Sequence, residues 1–405
     1  MKPIIDELCF FKENFVDLNG SLFKVNDVIF ICDSPARASL LKIKSHNSYK
    51  ACQYCRIEGH RLDNKIVFSF CENLPPSRTD LDYSLGLENN QIGNSNVFKV
   101  SSYVNEIPPE YMHSVVLGVF KRVFLTFCTT NYQLLPCKLS VTQQNNIFLK
   151  YKYQLPKEFH RKFRALKFLN HFKATEFRTW LLYGSPVFLR KVLPKKYYDH
   201  LMLLHFSIYV LNCPDLKDII TCAFTCMTQF HYQIAELYGE ASLTYNNHSI
   251  RHLPNFVERF GILDNFSSFP FESFLYQIKK RVKSGSFISS QIENSFEILQ
   301  NFTCNEMPKV MISTTYPDNM VLIKHKNEII TVLVNNVCEN TVSGYKLILK
   351  KDLYNFPYPS TSIFSGIYKK SSSYILNVPY FKKCVYFTKN DKYYVIPFAN
   401  MSCVN

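Results

Sequence analysis

The chain contains no run of about 18 apolar residues that would span a bilayer. Its N-terminus, MKPIIDELCFFKENF, has no uninterrupted hydrophobic stretch of the kind a signal peptide needs. These two absences exclude a helical membrane protein and argue against secretion, so the expectation is an intracellular chain, nuclear or cytoplasmic, with no membrane partner. No internal repeat and no long linker is visible, which leaves no sign of a solenoid or a tethered array. Acids are scarce: 32 Asp and Glu face 47 Lys and Arg, for a formal net charge of +15 and a pI near 9.1. That imbalance favours a polyanionic partner, because clustered cations release counterions when they meet phosphates. Nucleic acid, and DNA first, is the expected class. Fourteen cysteines would suggest disulfides in a small secreted protein, but in a large chain without a signal peptide they read as mostly reduced and buried.

With 405 residues, 47% of them apolar and 15% aromatic, the chain can bury a sizeable core in two or three domains. In residues 25–32, VNDVIFIC, a β-branched run reads as a buried strand, followed by Ser34 as N-cap and Pro35 at the first helical position. Residues 72–108 are rich in Asn, Ser, Gly and Pro and read as loop, with SLGLENNQIGNSN its most mobile piece. From about 108 to 239 the apolar period becomes helical. Ile219, Ile220, Ala223, Met227, Phe230, Ile234 and Leu237 recur at three and four, and Gly239 closes that helix. Residues 310–405 change to short β-rich runs between Gly, Asn, Pro and Ser clusters, a small antiparallel sheet or barrel with ten tyrosines and no arginine.

The positive charge is concentrated in residues 150–200, where 13 Lys or Arg meet three acids among interleaved aromatics. Arg161, Lys162, Arg164 and Lys167 are its candidate DNA contacts. A solvated helical face of a basic protein has the same composition, and a charge run does not choose between the two.

The stretch IFICDSPARASLLKIKSHNSYKACQYCRIEGH, residues 29–60, carries both a lone acid and a Cys-x-x-Cys. A carboxylate where a strand meets a helix is a frequent position for a catalytic or metal-binding acid, and an equally frequent helix cap. Cys52 and Cys55 have ligand spacing but need two further donors for a zinc site. His46 and His60 are the nearest. His248 and His252, four apart and on one face if helical, form a better pair, although Pro254 biases Leu253 out of the α region. The alternative is a pair of buried thiols and two histidines in a turn. Glu272 opens an amphipathic helix, where a first-turn acid is favoured by the helix dipole alone.

Taken in order, CDSPARA, ACQYC, RTD at 78–80, EYMHSVVLGVFK, KATEFRTWLLY, ELYG, YNNHSIRHL and FGILDNFSSFPFESFLYQIKKRV resemble the animal "transposase domain-containing" proteins of the CACTA (En/Spm-like) group. The resemblance covers residues 1 to about 300. It implies an RNase H-like fold with a D-D-E triad and a helical insertion between the second Asp and the Glu. By position, Asp33 matches the second acid and Glu272 the last; Cys52, Cys55, His248 and His252 become one structural zinc site. The family's Asp-x-x-His falls on Glu110 and His113, with Glu in place of Asp.

The fold class implied is α+β. A partial RNase H-like core spans residues 1–71 and a loop with a large helical insertion 72–245. The end of the insertion with the glutamate helix spans 246–305, and a β-rich domain 306–405. Only 32 residues precede Asp33, so the family's first acid is expected to be missing, as in a truncated or domesticated transposase. Mg²⁺ would be the catalytic ion of an active form, since in-line attack on a phosphodiester needs several converging carboxylates. Two functional classes follow: a DDE-type transposase fragment that binds DNA without cleaving it alone, and a non-catalytic, zinc-stabilised DNA- or protein-binding module. A homo-oligomer is compatible with either.

Overall fold

Asp33 ends an extended segment and begins a helix. In a computed structural model describing residues 2–128, 139–140, 142–143, 145–146, 154–301, 311–325 and 328–400, residues 25–32 pair with no strand, and none of them is buried. The expected buried strand is therefore an unpaired extended segment. A β-branched run becomes a strand only where a neighbour offers its own N–H and C=O groups. Among the described residues before residue 320, the strands are β1 (Val16–Leu18), β2 (Ser21–Phe23), β3 (His60–Leu62) and β4 (Lys65–Val67). They form two hairpins, each closed on itself.

The helix that follows, Ser34–Leu41, is capped by Asp33 and not by Ser34: Asp33 Oδ1 accepts the Ala36 amide at 2.8 Å. Pro35 sits in the first turn, where its missing N–H costs no helical bond. The segment expected to be mobile, residues 84–96, is pinned. Glu88 and Asn90 are buried, and Asn90 Nδ2 donates to the Cys52 carbonyl at 3.0 Å. Its polar residues serve the backbone of the Cys-x-x-Cys turn.

The helical block is as expected. Lys195–Leu211 is apolar nearly all round and buries 14 of its 17 residues, which places it at the centre. Ile220–Tyr238 packs along it with Ala223, Met227, Phe230, Ile234 and Leu237 inward, and ends at Gly239 with φ +85°. Two stretches are π-helical, Met112–Phe120 and Trp180–Gly184.

Beyond residue 320, β5 (Met320–His325), β6 (Glu328–Cys338), β7 (Thr341–Lys351) and β8 (Gly366–Lys389) close into an antiparallel barrel through a β5–β8 pairing, with β9 (Lys392–Pro397) along β8. Gly344 sits at the β6–β7 irregularity, where a Cβ would lie 2.2 Å from the Leu333 carbonyl oxygen. One face of this unit shares the helical core: Val385, Phe387, Ile396 and Phe398 belong to the same apolar cluster as Trp180 and Leu204. Buried lysines bolt the two together. Lys383 Nζ meets Glu158 at 2.8 Å and Asp318 at 2.6 Å, and Lys382 meets Asp215 at 2.6 Å. The chain is thus α+β. Among the described residues no helix is long and apolar enough to cross a membrane.

Candidate metal centre and its neighbourhood

Cys52 and Cys55 lie in the turn before β3, and His248 and His252 on a continuous helical run built from Tyr245–Ser249, a 3-10 turn Ile250–His252 and Leu253–Phe260. Leu253 keeps helical angles, φ −56° and ψ −41°, despite preceding Pro254. The proline falls in the first turn of the next helical piece, so the expected break does not occur. The i, i+4 spacing therefore survives and both imidazoles point the same way.

The four ligand atoms lie within 4.8 Å of one another and all four residues are buried. Cys55 Sγ to Cys52 Sγ is 3.7 Å, Cys52 Sγ to His252 Nε2 3.5 Å, Cys55 Sγ to His248 Nε2 3.3 Å, and the two Nε2 atoms are 3.3 Å apart. A tetrahedral zinc with ordinary bond lengths requires edges of about 3.8 Å for S to S, about 3.6 Å for S to N and about 3.3 Å for N to N. The four distances given match these edges within a few tenths of an ångström, and the remaining two edges are no longer than 4.8 Å. His46 and His60 take no part: His60 pairs with Glu240 at 3.0 Å. Electrostatics favour a single thiolate in the pair: the hydrogen bond to Cys52 and burial push the Cys55 thiol well up. Burial opposes a charged Cys52, yet the hydrogen bond from Cys55 and the nearby His248 and His252 hold its pKa well below the ordinary thiol value. Burial keeps His248 below its ordinary value, the neutral form a metal takes.

Second-layer groups fix the turn. The Tyr54 amide donates to Cys52 Sγ at 3.4 Å. Fully buried Arg78 donates Nε to the carbonyls of Cys52 and Cys55 at 2.9 and 3.1 Å, and its Nη1 meets Glu88. Arg37 lies on the helix capped by Asp33 and is buried. It donates to Tyr54 Oη at 3.0 Å and Tyr245 Oη at 2.9 Å. One tyrosine lies between the two cysteines and the other three residues before His248, so Arg37 ties the Asp33 helix to both halves of the cluster. The roles of Arg37 and Arg78 were not read from the sequence. The one signal for Arg37 is a lone charge inside a small-residue helix, SPARASLL.

Glu110 is a second hub. Its carboxylate accepts the amides of Met112, His113 and Ser268 and the His113 ring Nδ1, each at 2.7 Å. Burial would raise its pKa, but these hydrogen bonds outweigh that and lower it. Glu110 in turn raises the pKa of His113, and the charges of Asp33 and Glu272 add to that rise. Both family-matched acids thus lie within electrostatic reach of one imidazole. Glu272 is in the first turn of Phe269–Arg281, as expected, but that helix buries no residue, and Phe271, Phe274, Leu275 and Tyr276 are exposed. Its packing lies at its start and in one ring contact: Phe269 lies against the main core and Phe274 meets Phe296 with ring centroids 5.7 Å apart.

The basic stretch divides. Lys162 donates to the carbonyls of Leu155 and Pro156 at 2.8 and 2.6 Å, and Arg164 forms a two-point pair with buried Glu176 at 2.5 and 2.7 Å. These two side chains have partners within the chain, although that of Arg164 stays 39% exposed. Arg161 and Lys167 are exposed, and Arg161 lines a cavity of about 350 Å³ together with Ser273 and Arg178. Residues 150–153 of the stretch, and 306–310, 326–327 and 401–405 of the C-terminal block, lie outside the described residues.

Compared with known proteins, the chain matches no family model, no curated protein and no solved structure.

Proposed function

We propose that this chain is a zinc-stabilised nucleic-acid-binding module derived from a DDE-type transposase, which keeps acids at Asp33 and Glu272 without, among the described residues, the central sheet of an RNase H-like core, and does not cleave DNA by itself. The observation that carries this reading is the Cys52/Cys55/His248/His252 cluster. It joins segments some two hundred positions apart, and Arg37 and Glu110 extend the tie to Asp33 and to the helix of Glu272. Zinc there is structural, since four protein donors leave no open position. Glu110, with four hydrogen bonds, serves as an anchor and not as a third metal-binding acid. Among the described residues no other group of three or more His, Cys, Asp or Glu side chains is close enough to hold an ion. Two carboxylates offer too few oxygens for the paired Mg²⁺ chemistry of strand cleavage.

DNA binding measured by fluorescence anisotropy across a salt series tests the reading. Binding is expected to be largely independent of sequence and to fall steeply with salt. With Mg²⁺ or Mn²⁺, no cleavage or strand transfer lost in both Asp33→Asn and Glu272→Gln is expected. Absence of salt-sensitive binding would overturn the nucleic-acid reading, and cleavage dependent on both acids would restore the enzyme. A protein-binding module is the second reading, favoured by the exposed Phe271, Phe274, Leu275 and Tyr276.

A further inference from the structure

A hollow of about 720 Å³ opens between the β3–β4 hairpin and the Lys121–Cys128 helix. Arg61 and Lys65 of the hairpin and Arg122 of the helix stand around it, with His46, Tyr49 and Asn246 completing the wall, and no carboxylate lines it. All three cations are exposed. Arg61 donates Nε to the Asp63 carbonyl at 2.9 Å, and among the described residues none of the three pairs with an acid. In the 150–200 stretch, by contrast, Arg164 and Lys162 are committed to internal partners. A polar, open, carboxylate-free groove is unlike the apolar pockets that take small molecules. Its cations, amides and hydroxyls suit a chain of phosphates. Tyr49, 49% exposed, offers a ring on which a base can stack.

The groove floor touches the π-helical rod that carries His113: a Cβ on Gly118 would lie 2.3 Å from Asn246 Nδ2 and 2.7 Å from the His113 carbonyl oxygen.

We propose that this groove binds the sugar–phosphate backbone of a nucleic-acid strand, with Arg61, Lys65 and Arg122 on phosphates and Tyr49 on a base. The proposal rests on the nucleic-acid reading above and moves the principal contact surface away from residues 150–200.

The test compares the full chain with two charge-reversal variants, Arg61→Glu/Lys65→Glu/Arg122→Glu and Arg161→Glu/Lys167→Glu, binding fluorescein-labelled single-stranded and duplex oligonucleotides over a salt series. Bound zinc and the unfolding midpoint serve as folding checks, and the Gln triple replaces the Glu triple should either fall. The groove variant is expected to lose about tenfold or more in affinity, with the slope of log K against log salt shallower by about two to three, since each phosphate contact contributes about 0.7–0.9. Tyr49→Ala is expected to weaken single-strand binding about fivefold or more. Unchanged affinity and slope in the groove variant, beside normal binding by the unaltered chain, would overturn the groove and leave the nucleic-acid reading standing. No binding by the unaltered chain would overturn both.

Discussion

The carboxylate of Glu110 accepts the backbone N–H of Ser268 at 2.7 Å across 158 positions of sequence. Ser268 immediately precedes the Phe269–Arg281 helix, so a single buried side chain sets where Glu272 emerges. The same carboxylate holds the His113 ring and the first amides of the π-helical rod. The Ser268 contact acts beside the packing of Phe269, the first residue of that helix, against Tyr111 and Arg178.

Glu110→Ala is expected to destabilise the fold by about 2–4 kcal/mol, because several donors to a charged acceptor lose their partner at once. Glu110→Gln should cost less and move a titration. Glu110 raises His113 above its ordinary 6.5, and the hydrogen bonds to Glu110 lower that carboxylate below its ordinary 4.5. The pair's contribution is therefore full between about pH 4.5 and 6.5, and is lost as pH rises through the folded-state pKa of His113 or falls through that of Glu110. NMR titration of His113 should give a value above 6.5 in the unaltered chain and a lower one in Glu110→Gln. An unmoved value would remove the hub.

Metal removal should act globally. Cys52→Ser and His252→Ala are each expected to lower bound zinc, measured by mass spectrometry, and the thermal midpoint together, since the ion links segments far apart in sequence. Chelation should also expose Arg37 and Tyr54 to hydrogen exchange. Full stability in a zinc-free chain would mean that packing alone holds the cluster.

Asp33 serves as a helix cap through Oδ1, which separates two roles experimentally. Asp33→Ala should cost about 1 kcal/mol, while Asp33→Asn, which keeps a capping oxygen, should cost a few tenths. Denaturant midpoints distinguish the two. Asp33→Asn is therefore the clean variant for any cleavage assay.

Arg164→Glu is expected to destabilise by about 2–3 kcal/mol, because it leaves buried Glu176 without its two-point partner, and to leave the salt slope of DNA binding unchanged. Reduced slope at unchanged stability would return Arg164 to the interface.

Lys383→Ala should cost about 3 kcal/mol, since it removes the buried cation that Glu158 and Asp318 share. Limited proteolysis should then cut between the helical block and the barrel. A native digestion pattern would show that the shared apolar core suffices.

Much of the chain was legible in order of residues. The helix to Gly239, the β-rich end and the pairing of Cys52/Cys55 with His248/His252 follow from periodicity and from a resemblance carried by spacing, because local conformational preference and ligand chemistry are written in short windows. What only the tertiary structure decided depends on neighbours. The run VNDVIFIC has the composition of a strand, but among the described residues no adjacent strand completes its hydrogen bonds. The polar segment around Glu88 and Asn90 reads as loose, but buried backbone carbonyls at Cys52 need its donor and keep it in place. Lys162 and Arg164 look like free charge, but each meets an acceptor that the fold brings to it. Hydrogen-bond partners and ion pairs are supplied by distant parts of the chain, and a sequence read locally contains the groups without the distances between them.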